Sequence, residues 1–113
     1  MLSGILSSAV SGVNASALSV AVAANNIANV STSGYQRSEV VYQTLSTRQS
    51  GTTYNAGGVL ASPRQLTDAQ ELSSTDLGTE FVTLISAQSA YSASLKVLAA
   101  GDELSRSLLS IRA

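Results

Sequence analysis

The sequence predicts a mainly α-helical protein, in which two long terminal helices form an antiparallel, coiled-coil-like pair with a short β-hairpin or loop insert between them. Apolar residues recur every three or four positions at both ends of the chain, whereas the middle is rich in Ser, Thr, Gly and Asn. The composition is 44% hydrophobic but only 4% aromatic, which suits slender, closely packed helices. The 113 residues allow one structural domain, which we divide into residues 1–35, 36–75 and 76–113.

The first predicted helix covers residues 3–29. Its apolar residues follow the period of one helix face, at Leu2, Leu6, Ala9, Val13, Ala17, Val20, Ala24 and Ile27, with a second row at Ile5, Val10, Ala21 and Ala28. No Asp, Glu, Lys or Arg precedes Arg37. We expect such an uncharged helix to be covered by protein on most sides or to be inserted in a membrane.

A signal peptide and a transmembrane helix are the alternatives for this segment. SVAVAA at residues 19–24 resembles the end of a signal peptide, but no Lys or Arg precedes it, and Ser, Gly and Asn interrupt residues 3–14. Asn and Ser also interrupt each window of about 20 residues that a membrane span requires. We therefore expect an uncleaved N-terminus and no integral membrane protein. A small secreted helical surface protein with a cleaved signal is the alternative.

The insert at residues 36–75 is predicted to be a loose hairpin followed by a linker. Two short β-compatible runs, at residues 39–42 and 58–60, flank the polar stretch STRQSGTTYNAGG, which we expect to form a mobile tip. Pro63 is expected to end the second strand, because proline cannot donate a ladder hydrogen bond. Residues 64–75 form a polar linker that need not be ordered.

The second predicted helix covers residues 76–111. Its stripe consists of Leu77, Phe81, Leu84, Gln88, Tyr91, Leu95 and Leu98. Asp76 is the expected N-cap, and Glu80 lies in the first turn, where the helix dipole favours an anion. Arg106 and Arg112 lie near the end that favours cations. Gly101 in the middle of the helix predicts a close backbone approach or a break.

The composition argues against several classes of function. The chain has no cysteine and no histidine, so the usual zinc and copper ligand sets cannot be assembled, and serine has no histidine base. The net charge is −1, and the six Lys and Arg residues form no basic stripe for nucleic acid. We therefore expect no enzyme, no cofactor and no nucleic-acid partner.

Two motifs resemble those of the bacterial flagellar rod and hook proteins, the axial subunits of the flagellar basal body. ANNIANVSTSGYQR resembles their N-terminal signature, whose matching positions are Ala24, Asn25, Asn26, Ile27, Ala28, Asn29, Gly34 and Tyr35. SSTDLGTEFVTLISAQSAYSASLKV resembles their C-terminal helix. Hook and distal-rod subunits carry β-domains between the two helices, so the hairpin-sized insert resembles a short rod-type member.

The resemblance implies a structural subunit that self-assembles through its terminal helices into a hollow helical tube. It implies as partners other copies of the chain, homologous rod and hook subunits, and the flagellar type III export apparatus. It places the protein in the basal-body rod, which spans the periplasm. The signature and the second stripe, from Leu77 to Leu98, are then the expected assembly interface.

The residues of the signature suggest how its helix ends. The amides of Asn25, Asn26 and Asn29 can donate to carbonyls that a closing helix leaves unpaired, and they do so without a net charge. Gly34 is expected to take a positive φ, and Tyr35 to return its ring to the helix end. The two apolar stripes can bury against each other, but two helices leave apolar surface uncovered, which predicts self-association.

Overall fold

The computed structural model describes residues 2–49, 52–66 and 76–112. Along the chain, helix α1 (Leu2–Ala28) is followed by strands β1 (Ser38–Gln49) and β2 (Thr52–Gln65) and by helix α2 (Leu77–Arg112). Each helix begins and ends one residue from its predicted bound. The predicted class, two long terminal helices with a hairpin between them, is confirmed.

The two helices are antiparallel. Asn26 near the end of α1 lies beside Glu80 near the start of α2, and their side chains are 3.1 Å apart. Towards the other end, Gly101 of α2 lies beside Leu6 of α1. Residue numbers therefore rise along one helix as they fall along its neighbour.

Small residues form the seam where the helices meet. Among the described residues, the buried apolar side chains are all alanines: Ala9, Ala15, Ala23 and Ala87. A Cβ atom at Gly12 would lie 2.8 Å from Ser94 Oγ, and one at Gly101 would lie 2.6 Å from Leu6 Cδ2. The helix continues through Gly101, so this glycine marks a close approach and not a break.

The predicted stripes do not bury against each other within the chain, so this expectation was wrong. Several members are exposed, namely Ala17, Val20, Ala24, Leu77, Phe81, Gln88, Tyr91 and Leu95. Leu6, Val13, Ile27, Leu84 and Leu98 are half-buried. Apart from Ala9, which is buried, and Leu6, which lies against Gly101, the stripes lie about one residue, or about 100°, around each helix from the seam. Alanine, glycine and serine occupy the seam because large side chains would hold the helices further apart.

The insert is a longer and more regular hairpin than predicted. β1 and β2 pair antiparallel from Ser38↔Gln65 to Gln49↔Thr52, with an irregularity after Thr44. The ladder therefore runs through most of the polar stretch that we predicted as a tip. Within the predicted tip, residues 46–49 and 52–58 lie in the strands, and residues 50–51 lie outside the described residues, as does most of the predicted linker, residues 67–75.

Pro63 does not end the second strand, contrary to the prediction. It pairs with Val40 inside the ladder, and β2 continues to Gln65. Each strand of a two-stranded sheet has one free edge, where the missing N–H of proline costs no ladder bond. The irregularity in the ladder falls at Gly57 and Gly58, whose φ angles of 81° and 103° favour glycine.

The hairpin lies along α1. The Tyr42 hydroxyl donates to Ser19 Oγ at 2.9 Å, and the Val59 N–H donates to Ser11 Oγ at 3.0 Å. A Cβ atom at Gly57 would lie 2.9 Å from Ser8 Oγ. Helix α1 is therefore covered by α2 on one side and by the hairpin on another.

The two ends of the helix pair differ. At the end marked by Asn26 and Glu80 the helices are flush. At the other end, α2 continues for eleven residues beyond Gly101, whereas α1 extends only four residues beyond Leu6. The projecting part of α2 exposes large apolar side chains: Leu104, Leu108, Leu109 and Ile111.

Candidate functional site: an open apolar face and a buried polar cluster

The predicted stripes border two shallow grooves between α1 and α2. One groove, of about 520 Å³, is lined by Ala17, Val20, Leu84, Gln88 and Tyr91. The other, of about 420 Å³, is lined by Leu6, Leu95, Leu98, Ala99 and Asp102. No described residue of the hairpin lines either groove, so we call the surface formed by these residues and Phe81 the back face.

Large side chains on the back face contact water in the single chain. Phe81 is 51% exposed, Leu95 is 41% exposed and Tyr91 is 37% exposed. Contiguous apolar surface of this kind in a soluble protein marks an interaction site, because water contact with it is unfavourable. The back face therefore has the character of an interface that lacks its partner.

The outer side of α1 continues this neutral surface. The helix has no acidic or basic residue, and Ile5, Val10 and Val20 are exposed on it. By length and composition, residues Gly4–Ala28 are apolar enough to cross a membrane, and 22% of the most apolar window is buried within the chain. Our expectation that Asn and Ser would interrupt every such window was wrong, because the surrounding Ala, Val and Leu residues outweigh them.

Asn26 is the centre of a cluster that joins the signature to α2. Its Nδ2 donates to the Ser38 carbonyl at 2.7 Å and to Glu80 Oε1 at 3.1 Å. Its Oδ1 accepts the Tyr35 hydroxyl at 2.9 Å and the Ser38 N–H at 3.0 Å. The side chain is 1% exposed, and these bonds use both its donors and both its acceptor positions. Asn26 therefore ties together α1, the start of β1 and α2.

Glu80 carries the negative charge of this polar cluster. It is 2% exposed, and its Oε1 accepts hydrogen bonds from Asn26 Nδ2 and from Arg37 Nε, the latter at 3.1 Å. Removing one member of a buried ion pair typically costs about 3–5 kcal/mol, because the other charge stays buried without its partner. Glu80 lies in the first turn of α2 as predicted, but its burial against Arg37 and Asn26 was not predicted.

Tyr35 belongs to the polar cluster through its hydroxyl group. Gly34, with a φ of 75°, reverses the chain, and the Tyr35 hydroxyl then reaches Asn26, as predicted. Burial, and to a lesser extent the negative charge of Glu80, raises the pKa of Tyr35, because both disfavour the phenolate. The hydroxyl therefore stays protonated at neutral pH and acts as a donor.

The other signature asparagines act at the helix end. Asn29 Nδ2 donates to the Asn25 carbonyl at 2.9 Å and to Asn25 Oδ1 at 3.0 Å. The Thr32 hydroxyl donates to Asn29 Oδ1 at 3.2 Å. The prediction that these amides pair with a helix-end carbonyl is confirmed for Asn29. These bonds join the end of α1 to the turn that follows it, and Asn25 is exposed.

Asp76 caps the start of α2 as predicted. Its Oδ1 accepts the Gly78 N–H at 3.0 Å and its Oδ2 accepts the Thr79 hydroxyl at 3.2 Å. The cap fixes where the helix begins and so places Glu80 one turn later, against Asn26. In residues 2–49, 52–66 and 76–112, no group of three or more His, Cys, Asp or Glu side chains could hold a metal ion.

The structure brings two sets of the predicted site residues together, whereas Asn25, Asn29 and Gly34 form the helix end and its turn, and Ala24, Ile27, Ala28 and Leu77 belong to neither set. Asn26 and Tyr35 belong to the buried polar cluster, whereas Leu84, Gln88, Tyr91, Leu95 and Leu98 line the back face. Sequence reasoning missed Glu80 as a partner of Asn26 and Arg37 as a partner of Glu80. The available signal was that Arg37 is the first charged side chain of the sequence and directly follows the signature.

Both ends of the chain match known families. Residues 6–36 match the family described as flagella basal body rod protein, and residues 67–111 match the one described as flagellar basal body rod FlgEFG protein C-terminal. The flagellar hook proteins FlgE of Brucella abortus, Brucella suis and Brucella melitensis are 41% identical to the chain over 63 residues. This match covers 56% of the chain but only 16% of each hook protein.

The two family matches occur in the order expected for this architecture. The first contains most of α1 and the signature through Tyr35, and the second contains α2 almost to its end. Together they include the members of the polar cluster Asn26, Tyr35 and Glu80, and the residues of both grooves. The chain therefore belongs to the flagellar basal body rod and hook protein family.

Proposed function

We propose that the chain is an axial structural subunit of the bacterial flagellum, which assembles with its own copies and with related rod or hook subunits through the back face. The observation that carries this proposal is the position of the apolar stripes. They line an open surface on residues that both family matches include. In a helical wall, a neighbouring subunit would cover this surface.

A protein wall suits α1 better than a lipid bilayer. One side of the helix packs on a hairpin that carries Glu39 and Arg64, and another packs on a helix that carries Glu80 and Lys96. These charges would enter the hydrocarbon region together with α1, at a large free-energy cost. Neighbouring subunits can cover the exposed side of α1 without that cost, and a neutral helix leaves no charge unpaired there.

The fold also favours an N-terminus that stays on the protein. Cleavage after Ala24 would remove Ser16, Ser19 and Ala23, all of which are buried in the chain. We infer from the family membership that the subunit is exported by the flagellar type III apparatus with its N-terminal helix intact. Its place would then be the rod of the basal body, beyond the inner membrane.

Incorporation into basal bodies tests the proposal. In a strain lacking the gene, the Leu84→Asp variant is expected to reduce incorporation and motility at least tenfold. The substitution places a charge in the groove and removes roughly 1.5–3 kcal/mol of apolar burial in the assembly. Immunoblots of purified basal bodies and swimming in soft agar measure the effect. Ser89→Asp, at an exposed polar position of the same helix, is the matched control and should incorporate normally.

Normal incorporation of Leu84→Asp would contradict assembly through the back face. Mass spectrometry of the incorporated wild-type subunit tests the second point separately. An intact N-terminal helix is expected, and loss of residues 1–24 would favour the alternative of a secreted surface protein with a cleaved signal.

A further inference from the structure

The seam between the helices carries little information about their axial alignment. Its side chains are mostly Ala, Gly and Ser, which neither project far nor leave deep holes. In a helix pair with side chains of different sizes, an alignment that is shifted by one helical turn packs less well than the native one. A seam of small residues can slide by one turn with little change in packing, so another feature has to select the alignment.

The polar cluster is arranged to select it. Asn26, Tyr35, Arg37 and Ser38 all lie on the N-terminal side of the chain within thirteen residues, and Asn26 bonds to both Tyr35 and Ser38. Glu80 is the member that α2 contributes. Sliding α2 by one turn would withdraw Glu80 and leave Asn26 and Arg37 facing Leu84 or Asp76, of which Leu84 can accept no hydrogen bond from its side chain.

We propose that Glu80 and Asn26 are positioning residues that set the axial register of α2 on α1. The close approach of Leu6 to Gly101, where a Cβ atom would lie 2.6 Å from Leu6 Cδ2, marks the same register at the other end of the seam. The register in turn places Ala17 and Val20 opposite Leu84, Gln88 and Tyr91 and so forms the larger groove. In this last respect the inference rests on the proposed function.

Engineered disulfides report the register directly. A Cβ atom built at Gly12 lies 3.6 Å from Ser94 Cβ, a separation that suits a disulfide. The chain has no cysteine of its own, so a Gly12→Cys/Ser94→Cys pair has no background. A Gly12→Cys/Leu98→Cys pair reports a register shifted by about one turn. In the wild-type background, the first pair should crosslink on oxidation of the purified full chain and the second should not.

The decisive variant moves the two residues of α2 that mark the register, Glu80 and Gly101, by one helical turn and keeps the composition unchanged. It combines Glu80→Leu, Leu84→Glu, Gly101→Ser and Ser105→Gly. The carboxylate at position 84 can reach Asn26 and Arg37 only if α2 slides, and the glycine at position 105 then meets Leu6. We expect the dominant disulfide to move from the Gly12/Ser94 pair to the Gly12/Leu98 pair, a change that a merely stabilising cluster would not produce.

A second variant removes the residues that select the register and introduces no substitute for them at another position. In the Leu6→Ala/Asn26→Leu/Glu80→Leu background, both cysteine pairs should crosslink, because neither the polar cluster nor the contact of Leu6 with Gly101 then favours one alignment. Because this background also removes the Glu80 acceptor of Arg37, circular dichroism of the same sample is needed to establish that both helices are formed when the disulfides are compared. Peptide mapping of the oxidised chain identifies each disulfide.

Persistence of the Gly12/Ser94 disulfide as the dominant product in both variants would overturn the proposal. Loss of both disulfides from the transposed variant would also overturn it, because transposition predicts a paired helix with a new alignment. The readout needs no basal body, so it can fail while the incorporation test succeeds, and the reverse also holds.

Discussion

The seam between the helices and the back face of the same helices differ in both size and polarity of side chain. The seam is built from Ala, Gly and Ser and ends at the buried polar cluster, whose central residues Asn26 and Glu80 are 1% and 2% exposed. The back face carries larger apolar side chains, such as Phe81, Tyr91 and Leu95, and leaves them exposed. The chain therefore keeps its most hydrophobic surface away from its own interior.

This difference separates two tasks that one apolar stripe would otherwise perform together. Small residues allow the helices to approach closely, and hydrogen bonds and an ion pair then make the pairing specific. The larger residues remain exposed in the chain, and in the proposed assembly their burial against a neighbouring subunit would be stabilising. Substitutions in the two regions are expected to act on different equilibria, namely folding of the chain and association of chains.

The largest expected effect on folding comes from Glu80→Leu. It removes the acceptor of the buried pair and leaves Arg37 and Asn26 without it, which we expect to lower the free energy of unfolding by about 3 kcal/mol or more. Urea unfolding of the purified chain, followed by circular dichroism, measures this. Glu103→Leu changes an exposed acid of the same helix and should stay within about 0.5 kcal/mol. Equal losses of unfolding free energy in the two variants would show that the polar cluster contributes no more to stability than the exposed surface does.

A larger side chain in the seam should have the next largest effect. Ala87 is 5% exposed, and Ala87→Leu forces the helices apart, at an expected cost of about 1–3 kcal/mol in the same unfolding experiment. The control is Ala93→Leu at an exposed position of α2, where there is room for the side chain. An unchanged free energy of unfolding in Ala87→Leu would show that the seam is less closely packed than the structure indicates.

Tyr35→Phe should have a smaller effect that depends on pH. The variant loses the hydrogen bond from the hydroxyl to Asn26 Oδ1, which we expect to lower the free energy of unfolding by about 0.5–1.5 kcal/mol at neutral pH. The pKa of Tyr35 is raised in the folded chain, so its contribution is fully present below the unfolded pKa of about 10 and is lost as the pH rises through the folded pKa.

The wild-type chain should therefore lose stability above about pH 10 more steeply than the Tyr35→Phe variant. The measurement is urea unfolding as a function of pH for both proteins. Parallel curves for the two proteins would show that the Tyr35 hydroxyl is not coupled to folding.

Phe81→Ala tests the back face, the second of the two regions that are compared. Phe81 is half exposed in the chain, so truncation should lower the free energy of unfolding by only about 1 kcal/mol, less than for a buried phenylalanine. The same variant should incorporate poorly into basal bodies, because its ring would be buried there. A loss of 3 kcal/mol or more in the isolated chain would instead place Phe81 in the interior.

The sequence predicted the helices, the Gly34 turn, the Asp76 cap and the close approach at Gly101, since each depends on local chemistry. It did not predict which face of each helix would point inward. A period of three and four identifies the most apolar face, and this is the usual core of a helix pair. Here the alanines and serines of the seam follow the same period but carry too weak a hydrophobic signal to be distinguished.

The polar cluster shows a second limit of prediction. Asn26 and Glu80 are 54 residues apart, and nothing in the spacing of either motif connects them. The hairpin was underestimated for a related reason. Most of the residues at 46–55 are polar, so the sequence there looks like a loop, although paired strands with free edges need no apolar pattern.

The unequal lengths of the two helices give the subunit a blunt end and a protruding end. If copies stack along one axis with the blunt end of each against the protruding end of the next, every member of the stack points the same way. A column built in this manner has a direction, and its growing tip would always present the same one of the two ends to the next arrival.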